Sequence, residues 1–516
     1  MSLRLTNFRI FIIGALLYLG TFFVFLGAMP IYRVSEAREG SVINALAEGD
    51  SLVLPLRHGK IIPSKPPLYH WLSFFIFRPD RPINEFQLRF VSALAGIGML
   101  ALTFFTGQRL LGLNFAIAST TILGTSVGFL NLASSGRVDM LFSFLVCSGI
   151  FLWLNAALNA GRDRLIPQRI VYLVSLCFGL SILAKGPVGF VLGVIVCWLI
   201  SAATQNLTTC YKQVVNPSWI VGLLLALIVA EPWYALAASQ GGDAFLERQI
   251  VFENILRLIG GSGITIKPFW FYFTHLWGEF IPAVVLITAA IIGLLLKRQF
   301  LAPGAIISFF GAADSTESRL AKASLFWLLG GMIFFSIAAG KRQSYLMPLL
   351  PAGSILLALI CARLASGEAE LIRRISLLTA LCTPLYLAVY FSIQVVQASN
   401  LTFKGISYEL AQLIPDTQSV TIVKSPSDES FDVLLFYLNR KVDFQELTKI
   451  NNPNGLYLFR EKDKRALSRY LSHVIYTAER PRDRSQREFE NSDKNPERLY
   501  LARLNAKLTH AVLTAD

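Results

Sequence analysis

Charge is scarce in this sequence. Only 16% of its 516 residues are Asp, Glu, Lys or Arg, and 54% are hydrophobic, with a mean hydropathy of +0.54. A soluble chain of this length carries more charge, so the shortage excludes an ordinary set of soluble domains and points to a polytopic membrane protein. Cysteine is scarce too. The six are Cys147, Cys177, Cys197, Cys210, Cys361 and Cys382, and they show neither a disulfide framework nor zinc-ligand spacing. There is no internal repeat, and no inverted pair of broken helices of the transporter kind. The first apolar run lacks a small-residue cleavage site and reads as an uncleaved anchor. The chain is basic, at net +14, but its cations are spread over membrane loops rather than one soluble face. That spread disfavours nucleic acid and suits anionic headgroups.

What is abundant is apolar runs. Candidate spans are Phe8–Met29, Phe86–Thr106, Phe115–Ala133, Met140–Leu158, Ile170–Ala184, Val188–Ala203, Trp219–Leu236, Phe271–Leu296, Ser324–Ala339, Tyr345–Leu364 and Ile375–Val395. That is about eleven crossings, with the N-terminus inside. The expected organisation is a transmembrane domain over 1–396, with outer loops at 30–85 and 237–270 and a soluble tail at 397–516. In the tail, "SVTIV" and "GLYLF" read as strands and "KRALSRYLSHVI" as an amphipathic helix. A small α/β domain on the outer, periplasmic face is therefore expected. The charged stretch "ERPRDRSQREFENSDKNPER" reads as a loop.

The unusual polar motifs fall on one side of this topology. They are "SEAREG", "SKPP", "GRVD", "AKGPVG", "ENILR", "KPFW" and "GKRQSY", all assigned to the outer face. Two carboxylates stand there, Glu36 and Asp139. Around them are Arg38, Lys65, Arg137, Lys185, Lys341 and Arg342. Ionisable groups at a membrane boundary are costly and mark function. Cations beside two carboxylates suit a phosphate-bearing lipid and a general base. Lys65 is fixed by Pro66 and Pro67, which cannot continue a helix. Each residue also has a plainer reading. Lys65 can snorkel to headgroups, Lys185 can cap a turn, and Asp139 can cap a helix with Arg137 as its pair. Glu36 can sit in a solvated patch with Arg38. His70 and His275 suit aromatic packing better than metal binding, so no metal and no cofactor is expected.

"EGDSLVLPLRHGKIIPSKPPLYHWL" resembles the first-loop signature of the ArnT-like glycosyltransferases, relatives of protein O-mannosyltransferases in the GT-C class. "GRVDMLFSF", "ILAKGPVGFVL", "ENILR…IKPFWFY" and "GKRQSYLMPLLPA" follow in the order of that family. The resemblance covers roughly residues 10 to 360. It implies an all-α GT-C membrane fold and transfer of a sugar from a polyprenyl-phosphate carrier to an envelope acceptor such as a lipid A-like lipid, a glycan or a protein. It implies a bacterial inner-membrane location with the site facing the periplasm. It matches Lys65 to the lysine on the carrier phosphate and Asp139 to an acidic residue opening a span. The family's first loop has Asp-Glu, a small residue and Arg; here stand Ser35, Glu36, Ala37 and Arg38. Either Glu36 or Asp139 then serves as base. Ser64 replaces a glutamate used for metal in some aminoarabinose transferases, which implies no structural zinc and a substrate that need not be aminoarabinose or lipid A. The alternatives are a transporter, a non-catalytic envelope assembly protein, or another lipid-phosphate enzyme.

Overall fold

The structure, a computed structural model, describes residues 2–79, 82–261, 264–285, 288, 315–364 and 369–415, and in the tail 418–423, 431–438, 440, 442–445, 455–460, 463–464, 467, 471–479 and 498–504. It divides into two compact units. The first comprises Met1–Leu26, Ser64–Ser73 and Arg89–Tyr390. The second comprises Gly27–Pro63, Phe74–Leu88 and Phe391–Asp516.

Helices dominate. In chain order they are α1 (Ser2–Ala28), α2 (Val34–Ala47), α3 (Leu68–Phe77), α4 (Glu85–Leu111), α5 (Leu113–Thr125), α6 (Val127–Ala133), α7 (Val138–Ala160), α8 (Gln168–Lys185), α9 (Val188–Thr204), α10 (Leu207–Val214) and α11 (Ser218–Leu246). After a π-helical segment, Glu247–Leu256, come α12 (Arg257–Ile259), α13 (Phe271–Glu279) and α14 (Thr316–Ile337). A 3₁₀ segment, Gln343–Leu349, leads into α15 (Leu350–Leu364), followed by α16 (Ala369–Leu401), α17 (Lys404–Leu413) and α18 (Asp432–Leu438).

Among the described residues, six helical runs are long and apolar enough to cross a membrane, or seven if α5 and α6 count as one. This is a multi-pass membrane protein. The expected span at Phe8–Met29 falls within α1 apart from Met29, and that at Val188–Ala203 appears as a shorter apolar helix. Beyond Val285, the expected span Phe271–Leu296 lies outside the described residues apart from Thr288. Two spans differ in shape from the sequence reading. The expected Phe115–Ala133 span is bent by 67° between α5 and α6. Ser126 is extended there, and the Val127 amide donates to Ile281 O at 3.2 Å rather than to its own helix. The second expected loop, 237–270, is largely helical: α11 runs on into the π segment, bent at Gly242, whose φ of 55° suits glycine.

Small residues allow these helices to pack. A side chain at Gly179 of α8 would lie 2.9 Å from the backbone of Ala226 in α11. Such close approach is the usual basis of helix association in lipid, where burial from water gives no drive.

The second unit holds a five-stranded mixed sheet of β1 (Val420–Val423), β2 (Val442–Gln445), β3 (Leu456–Arg460), β4 (Leu471–Glu479) and β5 (Arg498–Leu504), in the order β2-β1-β3-β5-β4. Strand β1 runs parallel to β2 and β3, while β5 is antiparallel to β3 and β4. Tyr457, Phe459, Tyr500 and Ala502 fill its core, with Phe459 stacked on Tyr500. The two expected strands are β1 and β3. The expected helix over "KRALSRYLSHVI" instead ends as a strand, because Val474, Ile475, Tyr476 and Thr477 are consecutive β-formers, and Val474, Tyr476 and Thr477 pair with β5 across a bulge at Ile475. The charged stretch expected as a loop lies almost wholly outside the described residues. Part of the first loop folds with the tail: α2 places Gly40 against Phe436 of α18, and buried Arg57 bonds Asp432 at 2.8 Å.

Candidate functional site

The first ionic centre forms where α7 begins and α8 ends. Arg137 is extended ahead of α7, and its carbonyl accepts a bond from Ser92 Oγ at 3.0 Å. Asp139 follows in the first helical turn, where the helix dipole favours a carboxylate. Its Oδ2 lies 2.8 Å from the Arg137 guanidinium, and its Oδ1 accepts from Lys185 Nζ at 2.7 Å. Lys185 is the last residue of α8, the end that favours a cation. Gly186, at φ 110°, then turns the chain. The Lys185 ammonium also sits 4.8 Å from the Phe142 ring centroid and 4.5 Å from that of Tyr345.

The second centre forms on the π-helical segment. Widened turns of this kind are frequent at functional sites. Glu253 Oε2 accepts from Lys65 Nζ at 2.5 Å and from Arg257 at 2.9 Å, and Arg248 stands 3.8 Å from Oε1. Lys65 is buried and held on non-helical chain just before α3, as the double proline requires. Tyr345 joins the two centres, since it reaches Arg257 as well as lying against Lys185. Counting Arg137, Lys185, Lys65, Arg257 and Arg248 against Asp139 and Glu253, the two centres carry a net charge of +3.

The remaining expected residues are placed differently. Lys341 donates to the carbonyls of Ala338 (2.5 Å) and Lys267 (3.1 Å), so it latches two chain segments together, and burial lowers its pKa. The neighbouring Gly340 amide donates to Arg257 O at 3.0 Å, which holds Arg257 in register. Arg342 has an exposed side chain, while its amide donates to Tyr272 Oη. Glu36 and Arg38 belong to the second unit. Glu36 is buried in the first turn of α2, and Arg38 bonds Glu39 at 3.4 Å. Sequence reasoning missed Glu253 and Arg257. Their signal was present, an acid four residues ahead of an arginine inside "ENILR". Among the described residues, no three His, Cys, Asp or Glu side chains gather as a metal site.

Comparison with known proteins adds to this geometry. Residues 64–235 match the family model described as dolichyl-phosphate-mannose-protein mannosyltransferase. Over its length the chain superimposes on the crystal structure of ArnT from Cupriavidus metallidurans bound to undecaprenyl phosphate, with a TM-score of 0.68 at 15% identity, covering 95% of this chain and 97% of that one. The chain shares the fold of that ArnT. An uncharacterized protein of Aquifex aeolicus is 26% identical over 65% of the chain. The undecaprenyl phosphate-alpha-4-amino-4-deoxy-L-arabinose arabinosyl transferase of Shewanella sediminis is 26% identical over 67% of the chain. The matches span 61% and 59% of those two relatives. The ArnT-like GT-C resemblance carried by the motifs is thus shown by sequence and fold together.

Proposed function

We propose that this protein is a glycosyltransferase that moves a sugar from a polyprenyl-phosphate carrier to an envelope acceptor. One observation carries the reading: Lys65 and Arg257 converge on a single buried oxygen of Glu253, beside the Asp139–Lys185 pair. Two cations that meet at one oxygen, in a net-positive centre, offer the same place to a phosphate oxygen. The relatives that act on undecaprenyl phosphate-linked aminoarabinose, and the fold neighbour bound to undecaprenyl phosphate, support a carrier of that chemistry.

The chemistry is a single displacement. The acceptor oxygen forms a bond to the anomeric carbon, and the bond from that carbon to the phosphate oxygen breaks. The carrier phosphate leaves with the electron pair, stabilised by Lys65 and Arg257. A carboxylate, Glu36 or Asp139, takes the acceptor proton. One displacement inverts the anomeric centre. Lys185 and Arg137 hold Asp139.

In this reading about eleven helices cross a bacterial inner membrane, with the N-terminus inside and the site on the periplasmic face. The tail beyond residue 396 lies on that same face. A periplasm-activated reporter fused after Asp516 is expected to be active, and one fused near Arg162 silent. The reverse pattern inverts the assignment of faces.

The activity is tested on protein reconstituted in liposomes with undecaprenyl-phosphate-linked hexose and pentose donors and extracted envelope lipids, glycans and proteins as acceptors. Release of undecaprenyl phosphate together with a glycosylated acceptor of inverted anomeric configuration is expected. Absence of release from every donor overturns the reading.

A further inference from the structure

The tail of the chain reaches back to the junction between α1 and α2. Helix α1 ends at Ala28 and α2 begins at Val34, and the residues between them are not helical. Ile31, in that junction, is fully buried. Its main-chain polar groups belong to no helix or strand, and a buried amide or carbonyl left unpaired is costly. Two side chains of the tail take them. The Ile31 amide donates to Tyr437 Oη at 2.7 Å, and the Ile31 carbonyl accepts from Thr402 Oγ1 at 2.7 Å.

Both side chains are themselves held. Tyr437 Oη donates to Glu85 Oε1 at 2.9 Å, and the Lys404 ammonium donates to the same oxygen at 2.6 Å. The Lys404 amide donates in turn to Thr402 Oγ1 at 3.2 Å. Tyr437 stands on α18, and two other residues of that helix grip the first loop further along. Asp432 pairs with buried Arg57 at 2.8 Å, and Phe436 covers Gly40, where a Cβ would fall 2.4 Å from the ring. All of these residues belong to the second unit. The anchored points Ile31 and Gly40 bracket Glu36, one before it and one a helical turn beyond. The amides of Glu36 and Ala37 donate to Arg33 O at 3.0 and 3.1 Å, so the opening turn of α2 is built directly on the chain that Ile31 fixes.

We propose that Tyr437 and Thr402 are positioning residues. By clamping both main-chain groups of Ile31 they fix where α2 begins, and so they place the Glu36 carboxylate. The tail then serves the transfer site itself and is not an appended docking module. Only the effect on turnover rests on the transferase reading.

The test uses the full-length protein in nanodiscs. Tyr437→Phe keeps the ring and removes the hydroxyl, while Glu85 keeps Lys404. Amide hydrogen exchange of peptides covering 31–40 is expected to rise by about 10-fold or more, with α7 and α8 unchanged. Thr402→Val is expected to act likewise and Thr402→Ser to exchange as wild type, which separates the hydroxyl from packing. Wild-type protection of 31–40 in Tyr437→Phe overturns the proposal. If Tyr437→Phe loosens the whole chain, the Thr402 pair decides. Loosening of 31–40 in the valine variant alone supports the clamp, and wild-type exchange there, or equal loosening with serine, overturns it. On the transfer assay, Tyr437→Phe is expected to lower kcat by about 10–100-fold, since a misplacement of about 1 Å has costs of that order. The donor KM is expected to change little, because Lys65 and Arg257 belong to the first unit. Adding Tyr437→Phe to Glu36→Gln is expected to cost nothing further, because the tyrosine acts through Glu36. A double variant slower than Glu36→Gln by the full Tyr437 factor, or a fully active Glu36→Gln, overturns the link to Glu36. If wild-type protein transfers nothing, the transferase reading falls, and the exchange measurement still decides whether the tail clamps α2.

Discussion

Lys65→Ala is expected to lower turnover by at least about 10²-fold, the scale of losing one preorganised donor to a developing negative charge. The residue is buried, so its contribution is not screened as a surface lysine's would be. Its ammonium and the Arg257 guanidinium share Glu253 Oε2, at 2.5 and 2.9 Å. Removing the lysine leaves Glu253 paired with Arg257, so the carboxylate is not stranded. The stability loss is then that of one charge-assisted hydrogen bond, about 1.5–3 kcal/mol, and the protein still inserts. Size-exclusion of a fluorescent fusion checks folding, and steady-state transfer checks turnover. Arg257→Ala is expected to act in the same direction, and the double variant less than additively, because both cations serve one oxygen position. Lys65→Arg separates a need for charge from a need for a compact ammonium: the guanidinium keeps the charge but is planar and larger. Wild-type turnover in Lys65→Ala removes the phosphate role of this lysine.

Much of this centre was legible in the sequence, and the rest was not for identifiable reasons. The double proline after Lys65 announced a fixed cation on non-helical chain, and that is what stands before α3. The pairing of Asp139 with Arg137 was readable from two-residue spacing, but its second partner, Lys185, comes from a different helix. Glu253 was overlooked because its segment reads as a polar loop, whereas α11 continues through it as a widened helix that turns the carboxylate inward. Lys341 looked like one more phosphate cation. Backbone carbonyls claim it instead, and carbonyls leave no trace in a pattern of side chains. The tail failed for another reason. Helical periodicity in "KRALSRYLSHVI" competes with a run of β-formers, and pairing with β5 decides in favour of the strand.

The two carboxylates named from the sequence, Glu36 and Asp139, are separated by substitutions that keep shape and remove charge. Asp139 has both oxygens engaged, one by Arg137 and one by Lys185. An asparagine there offers one acceptor oxygen and one amide donor, and the donor opposes whichever cation it faces. Asp139→Asn is therefore expected to release Lys185 or Arg137 and to lower turnover by at least about 10²-fold, with carrier affinity little changed. If the function of Asp139 is to hold Lys185, then Lys185→Met has a similar effect, and the double variant is no worse than either single one. Glu36→Gln is expected to cost at least about 10²-fold as well, because a general base contributes about 10²–10⁴-fold and leaves a residual rate when lost. We assign the acceptor proton to Glu36 in preference to Asp139, since Arg137 and Lys185 already take up both Asp139 oxygens. Full turnover in Glu36→Gln with an inactive Asp139→Asn moves the base to Asp139. Full turnover in both removes these carboxylates from the chemistry and leaves the cations around Glu253 to account for any transfer.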